Sequence, residues 1–311
     1  MLKLTLSVIA GSLLVLGVNV EEAQAQPARV FVAAQGSDSN PCTFALPCRT
    51  FQHAHDVAAA NGEIDVLDPA GYGALTISKS ISIQGHGFAG LAVPSGTGIA
   101  TATAGVVVNL RGLLLDGVGT GGMGLTFTAS GAVLNIQDSV IRNFTNYGIY
   151  FAPSSGTSKL SISGTLVSDN SNGIGIAPTG SGSALAVVSH VEIDHSQSEA
   201  IVAYSADTSG AVWVDVSDSV AAHNGHTGIR AETLGTGGPT TVMVRNSTFA
   251  NNNVALQVDG TFVVLRVGGS TITNNDVGFA TLSGGTLYSY GDNNLDGNTA
   301  DGAATAVIPR Q

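Results

Sequence analysis

Charge is scarce in this chain. Only 11% of its 311 residues are Asp, Glu, Lys or Arg, and the 22 acidic against 11 basic side chains give a formal net charge of −11. An acidic surface repels nucleic acid and other polyanions unless cations intervene, so no nucleic-acid partner is expected. Tryptophan occurs once and cysteine twice. Past the N-terminus no apolar run reaches the roughly 18 residues a spanning helix needs, so no membrane span is expected in the mature chain. Helical periodicity is also missing from most of the sequence. With 43% hydrophobic residues, however, the composition is not that of a disordered chain.

The N-terminus reads differently from the rest. Lys3 is followed by an apolar run from Leu4 to Val18, then by Ala23-Gln24-Ala25. A short basic start, an apolar run and small residues at −3 and −1 predict a secretory signal peptide over 1–25. The mature chain is then exported, to the periplasm or the extracellular space. In such a compartment Cys42 and Cys48, in "CTFALPC", predict one disulfide around a tight loop.

What the chain has instead is a repeat. Anchor positions, small in most units, recur every 23 to 28 residues at Leu113, Ser139, Thr165, Val191, Ser219, Ser247, Ser270 and Asn293. Apolar residues stand three and five positions before each anchor (Val188 and Ala186, Val216 and Val214, Val244 and Val242, Tyr290 and Tyr288) and two after it (Ile193, Ala221, Phe249, Leu295). Period-two alternation means strands with one buried face. A further strand follows in each unit: "GIYF" (148–151), "GIGI" (173–176), "AIVAY" (200–204), "GIRAE" (228–232) and "ALQVD" (255–259). Three short strands per unit and no helix predict an all-β parallel β-helix of about ten coils, stacked about 4.8 Å apart.

Asparagines mark the turn into the third strand: Asn143, Asn170, Asn224, Asn251, Asn274 and Asn298. Asparagine tolerates left-handed backbone, and in a stack its amide can bond its neighbours one coil away. These residues are therefore expected to form a structural ladder.

The ends need caps. Residues 26–62 are expected to form the N-terminal cap, with the disulfide loop and a helix in "RTFQHAHDVAAANG" (49–62). Thr50 suits its N-cap, Phe51, Ala54, Val57 and Ala58 its apolar stripe, and Asn61-Gly62 its stop. His53 and His55, two apart, are read as surface residues. The coils then span 63–302. The tail, 303–311, is short and only lightly apolar, which leaves that end poorly capped or open to self-association.

Three features carry a resemblance: "GSDSNPCTFALPCRTFQHAHDVAA", "LTISKSISIQGHG" and the repeated S/T-x-Φ-x-x-N-x-x-x-G-Φ. Over roughly residues 28–302 the chain resembles the right-handed parallel β-helix proteins of the pectate-lyase-like superfold. That superfold includes lyases, hydrolases, epimerases, phage tailspikes and non-catalytic adhesins, so the resemblance implies the fold and not the activity. It also implies that any substrate lies on the outer face of the first strand stack. On that face stand Trp213, Asp215, Arg245 and Arg266, from three successive coils, as candidate ligand-binding residues. An indole offers a stacking surface and the arginines forked donors. The N-T-D, adjacent-aspartate and R-I-K motifs of polygalacturonases are absent. The lone "GHG" at 85–87 is read as a turn. A second cluster, His190, Glu192, Asp194 and Asp218, is a candidate cation site, Ca²⁺ being the ion a lyase would use. The leading functional expectation is a secreted solenoid, non-catalytic, binding an extracellular polysaccharide or a surface partner without a required cofactor. A polysaccharide lyase or glycoside hydrolase with a divergent site is the first alternative, and a structural or adhesive surface protein the second.

Overall fold

The computed structural model describes residues 26–310, so the expected signal peptide lies outside the described residues. One coil explains the rest. Val212–Ser217 runs as the first strand, with Val212, Val214 and Val216 inward and Trp213 and Asp215 outward. Asp218 (φ 52°) turns the chain into the short strand Val220–Ala222. His223 (φ 54°) turns it again, and Thr227–Glu232 completes the circuit. Each bend is made by a residue in the left-handed region, which is why Gly, Asn, Asp and His occupy these positions.

Coils stack in parallel and in register. Val214 sits between Ala186 and Val242, and Val216 between Val188 and Val244. The first and second strands of every coil merge into a 20-stranded sheet, and the third strands form a nine-stranded one, against the about ten coils expected. All pairs of strands are parallel, and the whole is a right-handed parallel β-helix. Its core is one continuous column of Val, Ile, Leu and Phe. Each such side chain contributes about 1.5–3 kcal/mol by leaving water.

The N-terminal segment forms the first layer. Arg29–Val32 pairs with Gly62–Val66, and Cys42 and Cys48 are joined in a disulfide. The helix Phe51–Val57 starts at Thr50, whose Oγ1 accepts the His53 N–H. His55 is a correction: it is buried, and its Nε2 accepts the Ser78 N–H. It lies on the face that docks onto the first coils, and a neutral imidazole serves there as an acceptor.

The C-terminal coil departs from the repeat. Leu287 pairs with Leu265 and is buried, whereas Tyr288 pairs with Arg266 and faces outward. Tyr288 and Tyr290 were expected inward. Asn293 keeps its turn position, with its Oδ1 accepting the Ser270 N–H. One extra residue therefore lies between strand and turn, and a one-residue slip exchanges the faces of the strand. The tail is not free either, since Ala306–Val307 pairs with Thr286–Ser289.

Two ladders run through the turns. Anchor hydroxyls accept backbone N–H groups from the coil before, as Ser219 Oγ does from Val191 and Ser247 Oγ from Ser219. Amides do the same five residues on. Asn224 Nδ2 bonds Asn252 Oδ1 (3.0 Å), Asn252 Nδ2 bonds Asn275 Oδ1 (3.1 Å), and Asn275 Nδ2 bonds Asn298 Oδ1 (2.8 Å). Asn170 occupies the same column, its Oδ1 accepting the Phe144 N–H. Asn143, Asn251 and Asn274 do not belong to this ladder. They sit one position earlier with φ of 62°, 56° and 56°, making the bend with side chains outside.

Candidate functional site

The first-stack face carries the four residues expected there, but they are engaged with one another and with neighbours. Arg245 Nη2 lies 3.3 Å from both oxygens of Asp215. The Arg266 guanidinium lies 5.6 Å from the centroid of the Tyr288 ring. Trp213 is 45% exposed and lies between Leu185 and Thr241 of adjacent coils. Around it Val187 and Met243 complete a shallow, mostly apolar depression of about 300 Å³. This surface can stack on a ring but offers few free polar groups.

The expected cation cluster is only partly assembled. His190 and Asp218 occupy the bend before the short strand. Glu192 and Asp194 lie on that strand, Glu192 fully outward. Asp194 instead meets His195 and His223, which stand at the following bend.

The most developed polar site lies elsewhere, on the outer face of the third stack. Here the alternation that buries Ile149, Ile174, Ile201 and Ile229 turns other residues outward. Register aligns Tyr150, Gly175, Val202 and Arg230 in one column. A second aligns Tyr204, Glu232 and Asp259. From these columns Tyr150, Val202, Tyr204, Arg230 and Glu232, with Tyr147, Glu199 and Asp207, line a cleft of about 390 Å³.

Its floor depends on a glycine. A Cβ on Gly175 would come within 2.7 Å of the Tyr147 ring and 3.1 Å of the Tyr150 ring. The two rings lie against that gap, their centroids 5.1 Å apart and their planes tilted by 34°. Burial raises the Tyr147 and Tyr150 phenols, with Glu199 adding to the first and Asp207 to the second. Both stay neutral donors at ordinary pH.

Arg230 ties the carboxylates together. Its Nη2 lies 2.7 Å from Glu232 Oε2 and its Nη1 3.5 Å from Glu199 Oε1. Glu199 also approaches His226 (3.4 Å). Burial pushes the Glu232 carboxyl above its ordinary value. Arg230 opposes this, and Asp259 and Glu199 reinforce it. Four buried side-chain polar atoms lack a hydrogen-bond partner among the described residues, and two of them, Arg230 Nε and Asp259 Oδ1, are on this face. Buried polar atoms are usually paired, so two unpaired atoms on one face are an exception.

None of these cleft residues was singled out from the sequence. The signal was there in the outward positions of "YGIYF", "AIVAY" and "GIRAE", which hold three of the chain's six tyrosines.

No protein-family profile matches the chain, and no curated protein matches it. Among solved structures it is similar to pectate lyase Pel9A, with a TM-score of 0.59, 13% identity, and coverage of 89% of this chain and 79% of that one. It also matches the mannuronan C-5 epimerase AlgE4 A-module of Azotobacter vinelandii (TM-score 0.38, 13% identity, 80% and 91% covered). A third match is a rhamnogalacturonan lyase (0.35, 12%, 79% and 76%). At this identity the first match speaks for the fold alone: the chain shares the right-handed parallel β-helix fold with that protein.

Proposed function

We propose that this protein is an exported β-helix that binds a glycan in the third-stack cleft. The observation that carries the proposal is the pair of tyrosine rings, Tyr147 and Tyr150, lying over Gly175 beside Tyr204, Arg230, Glu199 and Glu232. Aromatic faces stack on sugar rings, and the forked guanidinium and carboxylates match hydroxyls. The names of the structural neighbours, polysaccharide lyases and an epimerase, agree with a glycan ligand. The disulfide and the absence of any helix among the described residues long and apolar enough to cross a membrane are compatible with export.

The charges narrow the ligand. Glu199, Asp207 and Glu232 line the cleft against one guanidinium, Arg230, so the cleft is net acidic. A neutral or amine-bearing glycan is favoured there over a polyuronate. The experiment is a glycan array followed by calorimetric titration, using protein that starts at residue 26. Binding to neutral or amino glycans is expected, lost in Tyr147→Ala and Tyr204→Ala. Trp213, the sole tryptophan, lies on the other face and should keep its emission. Binding confined to polyuronates, with a shift of Trp213 emission and no effect of the tyrosine substitutions, would move the site to the first stack.

One observation favours a second reading, hydrolysis. Glycosidases pair a carboxyl whose proton affinity is raised with a second carboxylate, and burial pushes Glu232 above its ordinary value with Glu199 adding to the shift. Release of reducing ends from a bound glycan, abolished in Glu232→Gln, would support it.

A further inference from the structure

We propose that Asp194, His195 and His223 form a binding site for a transition-metal dication of the zinc type. This site is separate from the tyrosine cleft and from the Trp213 face. Four of the chain's seven histidines fall between positions 190 and 226, and two of them meet at one carboxylate.

The solenoid places them. His195 and His223 occupy the same bend on successive coils, both left-handed, with φ of 53° and 54°. Their rings stack nearly parallel, 14° apart in plane and 5.1 Å between centroids. Both turn Nδ1 toward Asp194. His195 Nδ1 is 3.0 Å from Oδ2, and His223 Nδ1 is 2.9 Å from Oδ1. Tetrahedral zinc binds such donors at about 2.0–2.2 Å, which separates them by roughly 3.3 Å, so closing on an ion needs only small rotations.

The surroundings leave room for the ion. In its own column Asp194 is flanked by Ser168 and Ala222, two small residues. Earlier in that column Asp116 has a guanidinium to neutralise it, with Arg142 Nε at 2.9 Å from its Oδ2. Among the described residues no guanidinium or ammonium pairs with Asp194: the two imidazoles approach it, and the His195 backbone N–H donates to its Oδ1 (3.1 Å). The next coil supplies an outer partner, because the Asn251 amide lies 3.1 Å from His223 Nε2. With His223 Nδ1 on a metal, Nε2 carries the proton and the Asn251 carbonyl accepts it. Without metal, Nδ1–H donates to Asp194 and the amide NH₂ turns toward Nε2. A half-turn of the amide serves both states, and such a partner fixes the tautomer of a ligating histidine.

Donor chemistry selects the ion. Two imidazoles and one carboxylate suit Zn²⁺, Cu²⁺ or Ni²⁺, while Ca²⁺ requires a shell of oxygens. The histidines are 60% and 50% exposed, so the fourth position opens to solvent. A three-ligand site with an open position is the arrangement in which zinc keeps an exchangeable ligand.

The test uses tag-free protein titrated with Co²⁺ and then Zn²⁺ at pH about 7.5, above the pH range in which free imidazole gains its charge. One Co²⁺ per chain is expected, with the visible absorption of a low-coordinate site, displaced by Zn²⁺. His195→Asn and His223→Asn should each weaken Zn²⁺ binding by more than about tenfold, and Asn251→Gly by a smaller factor. Asparagine already occupies this bend on other coils, so both histidine variants should fold, as circular dichroism would confirm. His190→Asn should leave binding unchanged. Absence of saturable Co²⁺ binding would overturn the proposal, as would binding that survives both histidine substitutions or is lost in His190→Asn.

Discussion

Asn224 and Asn252, one coil apart, are joined by a hydrogen bond from the amide of the first to the carbonyl of the second (3.0 Å). Asn252 Oδ1 also accepts the Asn224 backbone N–H, and Asn252 Nδ2 donates to the Ala221 carbonyl (3.0 Å). Removing this one amide strands several buried groups. Asn252→Ala should therefore cost about 2–4 kcal/mol in chemical denaturation. Its neighbour Asn251 bends the chain with its side chain outside, and glycine holds φ of 56° at little cost. Asn251→Gly should change stability by less than about 0.5 kcal/mol. Equal losses in the two variants would mean that the ladder is drawn in the wrong column.

That contrast shows where sequence reasoning reaches its limit. The fold was legible because each coil repeats an inward column of Val, Ile and Leu, and the period of such a column survives variation in turn length. Asn251 and Asn252 could not be separated, because asparagine suits the outer bend for its backbone and the inner column for its amide. The face exchange at Tyr288 was hidden by Asn293, which aligns the turn and says nothing of the strand before it. The cleft was hidden for another reason. Tyr147, Tyr204 and Arg230 are far apart along the chain, and only register brings them together. His195 and His223 are likewise 28 residues apart, in a column filled elsewhere by Asn, Asp and Gly.

Val216 is 1% exposed and sits between Val188 and Val244. Aspartate there would bury an unpaired charge between two coils, costing more than about 4 kcal/mol. Val216→Asp should fail to give a cooperative thermal transition. Val216→Ala should remain folded and lose about 1–3 kcal/mol.

Gly175 keeps the cleft open without supporting the core. A valine at this position would place methyl groups where the Tyr147 and Tyr150 rings lie. Its backbone is an ordinary strand, so β-branching is tolerated. The rings are only partly buried and can swing aside. Gly175→Val should therefore fold with near-native stability and bind glycan at least about tenfold more weakly, a loss of about 1.4 kcal/mol. Full affinity in a folded variant would separate ligand binding from the tyrosine pair.

Glu232 makes stability depend on pH in a direction opposite to most carboxylates. Burial holds its folded carboxyl above the ordinary value, with Arg230 opposing and Asp259 and Glu199 reinforcing the shift. Between the unfolded value and the raised folded value, the native state binds more protons than the unfolded one. Stability contributed by the neutral carboxyl is thus fully present at low pH and is lost as pH rises through the folded value. Glu232→Gln keeps the shape and stays neutral, so it should remove this decline and flatten the stability profile on the mildly acidic side. Denaturant midpoints measured across the acidic range would decide it: parallel profiles for parent and variant would assign the pH dependence to some other group.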